Sequence, residues 1–413
     1  MYDVIVIGAG AAGLMAAGTA AMSGKSVLLM EKMEKAGRKI RITGKGRCNL
    51  TNARPAEEFI EKVRTNQDFF SVAFAEFNNR ATIRFFERLG VKLEIERGER
   101  VFPKSGKAWA NALVDFCEDK GVKIMYKTQV TAIETMAGKV TGVRYRNTRG
   151  FERREETSNV IIATGGVSYP STGSTGDGYE FAADLGHNIE PVRPSLTPLV
   201  TSHPQKEYLN GLLLKNVGAK LYVDNELVQE EFGELGFSER GIEGAVALRL
   251  SRDAVDAIID EKRVKIIVDL KPALDEETLL ARINREIAEM QPSEFFSELL
   301  RKLVPKQMVV PLAKEVDFHS KTYVGKLTDT EKLRLVKILK GMAFPISDYA
   351  PFQFAIVTAG GVDCSEVNKY TMESTLVKGL YFAGEVLDVD ANTGGYNMQI
   401  AFSTGRLAGQ LKK

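Results

Sequence analysis

The sequence predicts an α/β fold whose parallel sheet draws strands from both ends of the chain. Three observations predict it. Val4-Ile5-Val6-Ile7 is an unbroken β-branched run that opens into glycines. Apolar runs of the same kind return at residues 160–163, before Thr164-Gly165-Gly166, and at 380–383, before Gly384. Such continuous runs mark strands covered on both faces, as parallel strands are. Third, the chain has 413 residues, more than the roughly 250–300 that one core supports, so two or three domains are expected.

The elements follow in order. Residues 8–23 are Ala-rich and helical, Gly24 ends the helix, and residues 26–30 form a second apolar strand, completing a βαβ unit. Residues 57–90 read as amphipathic helices, with Phe69, Phe70, Phe74 and Phe77, then Ile83, Phe86 and Leu89, facing a core. Segments 123–126, 130–134 and 140–146 alternate in polarity, which predicts a small antiparallel sheet ending at Asn147-Thr148-Arg149-Gly150. Pro191, Pro194, Pro198 and Pro204 mark a boundary. Beyond it, 218–224 and 264–270 read as strands of a separate β-rich unit, whereas 275–290, 292–303 and 328–339 read as helices. After Phe344-Pro345 the parallel pattern is expected to resume at 355–358 and 380–383, with a closing helix at 399–411. The first domain is therefore discontinuous, residues 1–190 with 346–413, around an insert at 191–345.

Composition narrows the class. With 44% hydrophobic and 27% charged residues the chain is an ordinary globular protein, and a net charge of +2 by itself argues for neither nucleic acid nor an anionic membrane. Cys48, Cys117 and Cys364 make no CxxC pair, which excludes a disulfide framework or zinc ribbon and suits a reducing cytoplasm. The start carries Asp3 and no long apolar run, and no stretch approaches the roughly 20 residues of a membrane span. A cytoplasmic protein without a membrane partner is expected. His187, His203 and His319 do not cluster in sequence, so neither a metal site nor a Ser-His-Asp triad is expected. Lys104-Ser105-Gly106-Lys107 lacks P-loop spacing.

The chemistry sits near the two ends. Gly8-Ala9-Gly10-Ala11-Ala12-Gly13 joins strand to helix. At that spacing Gly8 makes the turn, Gly10 lets a pyrophosphate approach the backbone, and Gly13 packs helix on strand. The amides of Ala11 and Ala12 stand at the positive end of the helix. Glu31 ends the second strand, placed to accept from ribose hydroxyls and to disfavour a 2′-phosphate. These features predict an ADP-containing dinucleotide. Leu380-Tyr381-Phe382-Ala383-Gly384-Glu385, followed by Asp388, brings a second backbone amide and carboxylate to the ribityl and pyrophosphate. Gly394-Gly395-Tyr396-Asn397, opening the last helix, can present N–H groups to a flavin pyrimidine edge. The dinucleotide is thus expected to be FAD, held non-covalently, with Val130, Ala163, Thr164 and Gly165 also in contact. Thr172 to Asp177 is either a loop supporting the cofactor or a plain polar turn.

Gly37-Arg38-Lys39, Thr43-Gly44-Lys45-Gly46-Arg47-Cys48-Asn49-Leu50-Thr51-Asn52, Ser168 to Gly178, and Thr393 to Gln399 together resemble the YhiN/BaiN group of FAD-dependent oxidoreductases, which includes aminoacetone oxidases and bile-acid reductases. The resemblance covers nearly the whole chain. It implies an α/β, Rossmann-type FAD-binding domain with an inserted β-barrel domain and a small helical module, the helical part at about 272–305. It also implies Lys32, Arg38, Lys39, Thr43, Gly44, Arg47, Cys48 and Asn49 as cofactor contacts. Ser238 to Ala245 departs from the family's His- and Pro-containing stretch, which leaves the substrate open.

Lys32, Lys35, Arg38, Lys39, Arg41, Lys45 and Arg47 face one acid, Glu34, in the segment from Lys32 to Arg47. Either they neutralise a pyrophosphate and are otherwise solvated, or they rim a site for an anionic substrate, including RNA. Cys48, Tyr396 and Asn397 are the candidates for proton delivery, Cys48 with packing as its other reading. The expected activity is hydride transfer at flavin N5 to or from a small organic substrate, with NADH or NADPH as transient electron donor. The resemblance adds a second activity, reduction of uridine to dihydrouridine in ribosomal RNA. A non-catalytic flavin-binding protein is the third reading.

Overall fold

The computed structural model describes residues 1–42, 46–104, 108–204 and 206–412. Thr43, Gly44, Lys45, Ser105, Gly106 and Lys107 lie outside the described residues. The chain forms two compact units, Met1–Ser195 with Phe352–Lys413, and Leu196–Pro351.

In the first unit a five-stranded parallel sheet has the order Leu380–Phe382, Val160–Ile162, Val4–Ile7, Val27–Met30, Lys123–Met125. Ile5 pairs with Val160 on one side and Leu28 on the other, and Ile161 pairs with Tyr381, so the chain's last strand is joined to its first through one intervening strand. Val4, Ile5, Val6, Leu28, Leu29, Ile161 and Phe382 are fully buried, the outcome that continuous apolar runs require.

Two strands differ from expectation. Lys123–Met125 belongs to the parallel sheet rather than to the antiparallel one, pairing with Val27–Met30. It is an edge strand with one side partly solvated, so its polarity alternates as an antiparallel strand's would. The antiparallel sheet consists of Gln129–Met136, Lys139–Arg146 and a third strand, Glu152–Glu156. Its first turn uses Ala137 and Gly138, both at positive φ, and its second is closed by Asn147 Oδ1 accepting from the Arg149 and Phe151 amides. Val357–Val362 likewise leaves the parallel sheet and pairs antiparallel with Ile189–Ser195. All six of its residues are buried, and a run buried on both faces carries no mark of strand direction.

Ala56–Ile60, Gln67–Glu76 and Asn79–Arg88 supply the helices of the 57–90 region, with Phe59, Phe70 and Phe86 fully buried. The closing helix, Tyr396–Gly409, lies against the opening one, Ala11–Met22. Contact is at backbone distance, since a Cβ on Gly405 would stand 2.5 Å from the Ala12 carbonyl oxygen.

The second unit holds a closed six-stranded barrel in the order Leu199–Thr201, Gly241–Glu243, Glu226–Ser238, Leu213–Val223, Val264–Asp269, Met342–Tyr349. Four helices pack beside one another, Glu276–Ala288, Phe296–Leu303, Val309–Val316 and Asp329–Lys340. They run past the 305 end expected for the helical part. Thr328 and Glu331 cap the last of them reciprocally. Among the described residues no helix is long and apolar enough to cross a membrane.

Gly405→Ala should destabilise the fold by about 1–3 kcal/mol through overpacking, measured by chemical denaturation. Unchanged stability would show that the terminal helices do not meet at backbone distance.

Candidate cofactor-binding site

The first unit contains a cleft at the carboxyl ends of its parallel strands, with about 1330 Å³ of empty space including the open mouth. Its lining runs from the Gly8–Ala12 turn past Glu31 to Glu385 and Met398, so the cleft suits an extended ligand. Ile7, Gly8, Gly10, Ala11 and Ala12 form one wall; Met30, Glu31 and Lys32 a second; Ala163, Thr164 and Gly165 a third; Ala383, Glu385, Asn397 and Met398 a fourth.

Gly8 turns at φ +97°, where a Cβ would press on the Ala163 carbonyl. A Cβ on Gly13 would overlap the Gly8 carbonyl oxygen, so Gly13 sits behind the cleft and seats helix on strand. Gly10 is different: a Cβ there would meet nothing within 4 Å. It is the N-cap of Ala11–Met22, yet no side chain caps the helix and no acid stands in its first turn. The exposed N–H groups and helix dipole therefore address the cleft, as anion sites require. The cradle fits the diphosphate of a dinucleotide.

Glu31 Oε2 accepts from the Ala9 amide and Oε1 from the Met33 amide, both at 2.8 Å. Burial raises its carboxyl above the ordinary range, against the pull of those amides. Lys32 Nζ lies 2.7 Å from Asp177 and also donates to Thr175, which ties the 172–177 loop to the strand end. Thr172, Gly173, Ser174, Thr175 and Asp177 all line the cleft, so that loop is part of the site.

Deeper in, Lys39 Nζ donates to Glu385 Oε2 at 3.1 Å and to Ser168 Oγ at 3.0 Å. Ser168 Oγ donates to Glu385 Oε1 at 2.7 Å, and the Thr358 amide donates to the same oxygen at 2.8 Å. Burial opposes ionisation of Glu385, but the Lys39 ammonium, the Ser168 hydroxyl and the Thr358 amide outweigh it and hold the carboxyl below its ordinary range. Four distant segments are joined at this one carboxylate.

At the closing end, Gly384 turns at φ +80° beneath the cleft wall. Gly394 and Gly395, at φ +134° and +99°, pack against Thr51 and Asn52, and Asn52 Nδ2 donates to the Gly394 carbonyl at 3.0 Å. Asn397 lines the cleft with its amide already committed, accepting from the Ala391 amide at 2.9 Å and donating to the Ala391 carbonyl at 2.7 Å. Tyr396 turns inward, edge-on to Phe59 at 4.8 Å, and does not line the cleft. Burial raises its hydroxyl's pKa while Arg54 pulls the other way. Cys48 is fully buried at φ +48° and also lies off the cleft wall. Next to it, Asn49 Oδ1 is buried with no hydrogen-bond partner among the described residues. Asp388 receives Asn66 Nδ2 at 3.1 Å and stands behind the wall.

Of the other predicted contacts, Arg38 and Val130 line the cleft. Arg47 does not. It is held by Glu94 at 3.4 Å and by Glu96, with its guanidinium 4.5 Å over the Phe102 ring. Folding thus changes the charge count of the basic segment, because Lys32, Arg38, Lys39 and Arg47 each meet a carboxylate. Glu34 is the only one of those carboxylates inside the segment. Ile356, Val357 and Phe181, which line the cleft, were not expected there, and their only sequence signal was an apolar character common to the whole core. Among the described residues no group of acids, histidines and cysteines could hold a metal.

The residues present fit FAD: a bare helix end for the diphosphate, a half-buried acid for the ribose, and an apolar far wall. Residues 2–411 match the family described as HI0933-like protein Rossmann domain. It is 31% identical to the 3-dehydro-bile acid delta(4,6)-reductase of Clostridium scindens, over 99% of this chain and 98% of that protein. It is 30% identical to the ribosomal RNA dihydrouridine synthase of Escherichia coli, over 98% of this chain and 96% of the relative. The fold is shared with the 3-ketosteroid-delta4-(5alpha)-dehydrogenase of Rhodococcus jostii RHA1, at TM-score 0.53 and 16% identity, covering 100% of this chain and 97% of that one. A full-length match to the family, relatives aligned end to end and a cleft shaped for a dinucleotide together carry the assignment: the chain belongs to the HI0933-like Rossmann family and is an FAD-dependent oxidoreductase.

Proposed function

We propose that FAD lies along this cleft and that the enzyme reduces a carbon–carbon double bond conjugated to a carbonyl in a small organic substrate. The observation that carries the reading is the uncapped helix end at Gly10. When bound, FAD supplies hydride transfer at N5. The chain's own residues do the rest. The amides of Ala11 and Ala12 hold the diphosphate, Glu31 accepts from the ribose, and Glu385, kept ionised by Lys39, accepts from the ribityl chain. Tyr396 and Asn397 shape the turn before the last helix. NADH or NADPH is the proposed electron donor.

The substrate class rests on the relatives' names. A delta(4,6)-reductase of a 3-dehydro compound and a synthase of dihydrouridine both saturate a double bond conjugated to a carbonyl. Uridine in ribosomal RNA is thus a second reading, favoured by the Escherichia coli relative. The carboxylate partners of Lys32, Arg38, Lys39 and Arg47 weigh toward the small molecule, since phosphate-binding cations are left free to meet the backbone.

Purified protein should be yellow and release FAD on denaturation. NADH or NADPH should bleach it without oxygen, and a conjugated enone should restore the colour and gain two hydrogens by mass spectrometry. Recovery with oxygen alone, never with an enone, would overturn the substrate class; dihydrouridine formed in an RNA fragment would move the assignment to RNA. Gly10→Val tests the cleft itself. Flavin affinity should fall more than about tenfold, roughly 1.4 kcal/mol, with the melting temperature of flavin-free protein unchanged. Wild-type affinity would place the cofactor elsewhere.

A further inference from the structure

The structure brings together three side chains that sequence spacing keeps apart. Ser374 Oγ lies 2.8 Å from His187 Nε2, and His187 Nδ1 lies 3.1 Å from Glu366 Oε2. The order is that of a hydrolytic triad, for which the sequence offered no support. The hydroxyl is not available as a nucleophile. Ser374 is 7% exposed, and its oxygen accepts from the amides of Leu376 at 3.0 Å and Val377 at 2.9 Å. With both lone pairs occupied, the hydroxyl can only donate to Nε2. Glu366 can only accept, so Nδ1 carries the hydrogen and the imidazole is neutral. Glu366 is itself fixed by the Asn188 amide at 2.9 Å and Asn188 Nδ2 at 2.6 Å.

What the imidazole joins is informative. Glu366 and Ser374 stand near the two ends of the loop between strands Val357–Val362 and Leu380–Phe382. The two strands that flank this loop reach the cleft at their far ends, Val357 opening the first and Ala383 and Glu385 following the second. His187 follows helix Asp177–Asp184, whose first residue lines the cleft as well. One side chain therefore fastens, at the ends remote from the cleft, three segments whose other ends form cleft walls.

We propose that His187 is a positioning residue whose neutral form holds the cofactor cleft in shape, so that protonation loosens the cleft and releases the flavin. A proton on Nε2 would point at an oxygen whose lone pairs are already taken. Either the 374–377 turn or the His187 contact must break. The groups facing the ring are Glu366 and Asp363, which favour the charged form, and Ser374 and the edge-on Phe382 ring at 4.9 Å, which do not. Burial prevails and lowers the pKa from the ordinary 6.5. The neutral clasp is then fully stabilising above the unfolded-state value and is lost as pH falls through the lower, folded one.

The proposal rests on FAD occupying this cleft, and the experiment separates the two. Flavin release from the holoprotein is followed by fluorescence from about pH 8 to about pH 5, alongside melting temperatures of flavin-free protein, for wild type, His187→Asn and Ser374→Ala. Asn can still donate to Glu366 but does not titrate. Wild type should lose flavin and melting temperature below the ordinary histidine value. His187→Asn should show a markedly smaller loss across that window, the remainder belonging to Glu31 and to His203, whose pKa burial also lowers, and Ser374→Ala should move the transition to higher pH. A His187→Asn profile matching wild type would overturn the proposal, as would wild-type flavin retention unchanged throughout. If no variant folds, NMR titration of the chain's 3 histidines decides: a His187 resonance titrating at its ordinary value rejects the clasp, and one titrating below it, with linked flavin release, supports it. Failure of wild type to take up flavin at any pH would sink the cofactor reading alone, because the melting profiles still report on the clasp.

Discussion

The site depends on a helix whose positive end is left bare. A helix start exposes several N–H groups that want an acceptor, and most proteins supply a side-chain oxygen from within. Here the N-cap is Gly10, no side chain caps it, and the first turn is alanine and glycine. That arrangement stabilises the isolated fold less than a serine cap would, and it leaves room and partial charge for an outside anion. The close packing behind it follows. Gly8 and Gly13 bring helix and strand to backbone contact, and Gly405 lets the last helix cross at the same depth. A side chain at any of these positions would push the bare helix end away from the cleft walls that Glu31 and Glu385 complete.

Local features of the sequence were legible and nonlocal ones were not. The opening βαβ unit could be read because apolar run, glycines and terminal acid are consecutive and each answers to one steric or electrostatic demand. Lys123–Met125 reads as antiparallel because an edge strand of a parallel sheet has a solvated side and alternates like an antiparallel strand. Val357–Val362 gives no sign of its direction because doubly buried strands look the same in either one. Tyr396 and Asn397 are adjacent, but about 100° separates successive residues on a helix, so one faces Phe59 and the other the cleft. The phase of that helix is set by the positive-φ glycines before it, which a residue count does not reveal. Ser374 lies 187 positions from His187, and no local pattern announces their meeting.

Charge shows the same limit. A segment with seven cations and one anion reads as strongly basic, yet folding brings Asp177, Glu385, Glu94 and Glu96 to it from elsewhere. A linear charge count describes the unfolded chain's field better than the folded surface. The pairing also explains how Glu385 stays ionised in an enclosed place: its counter-ion comes from the basic segment, and the cost of burying either charge is offset by the other and by two neutral donors.

The discontinuity of the first unit has a consequence during biosynthesis. Strand Leu380–Phe382 and helix Tyr396–Gly409 leave the ribosome only after all of Leu196–Pro351 has emerged. Until then, Val160–Ile162 presents an unpaired edge, and the face of the opening helix that Tyr396–Gly409 covers stays open. The nascent chain can complete the barrel-containing unit early, but Met1–Ser195 must wait, and long-range closure of this kind is slow. A truncation just before Tyr396–Gly409 would therefore leave a polypeptide that keeps the whole barrel-containing unit yet cannot finish the other.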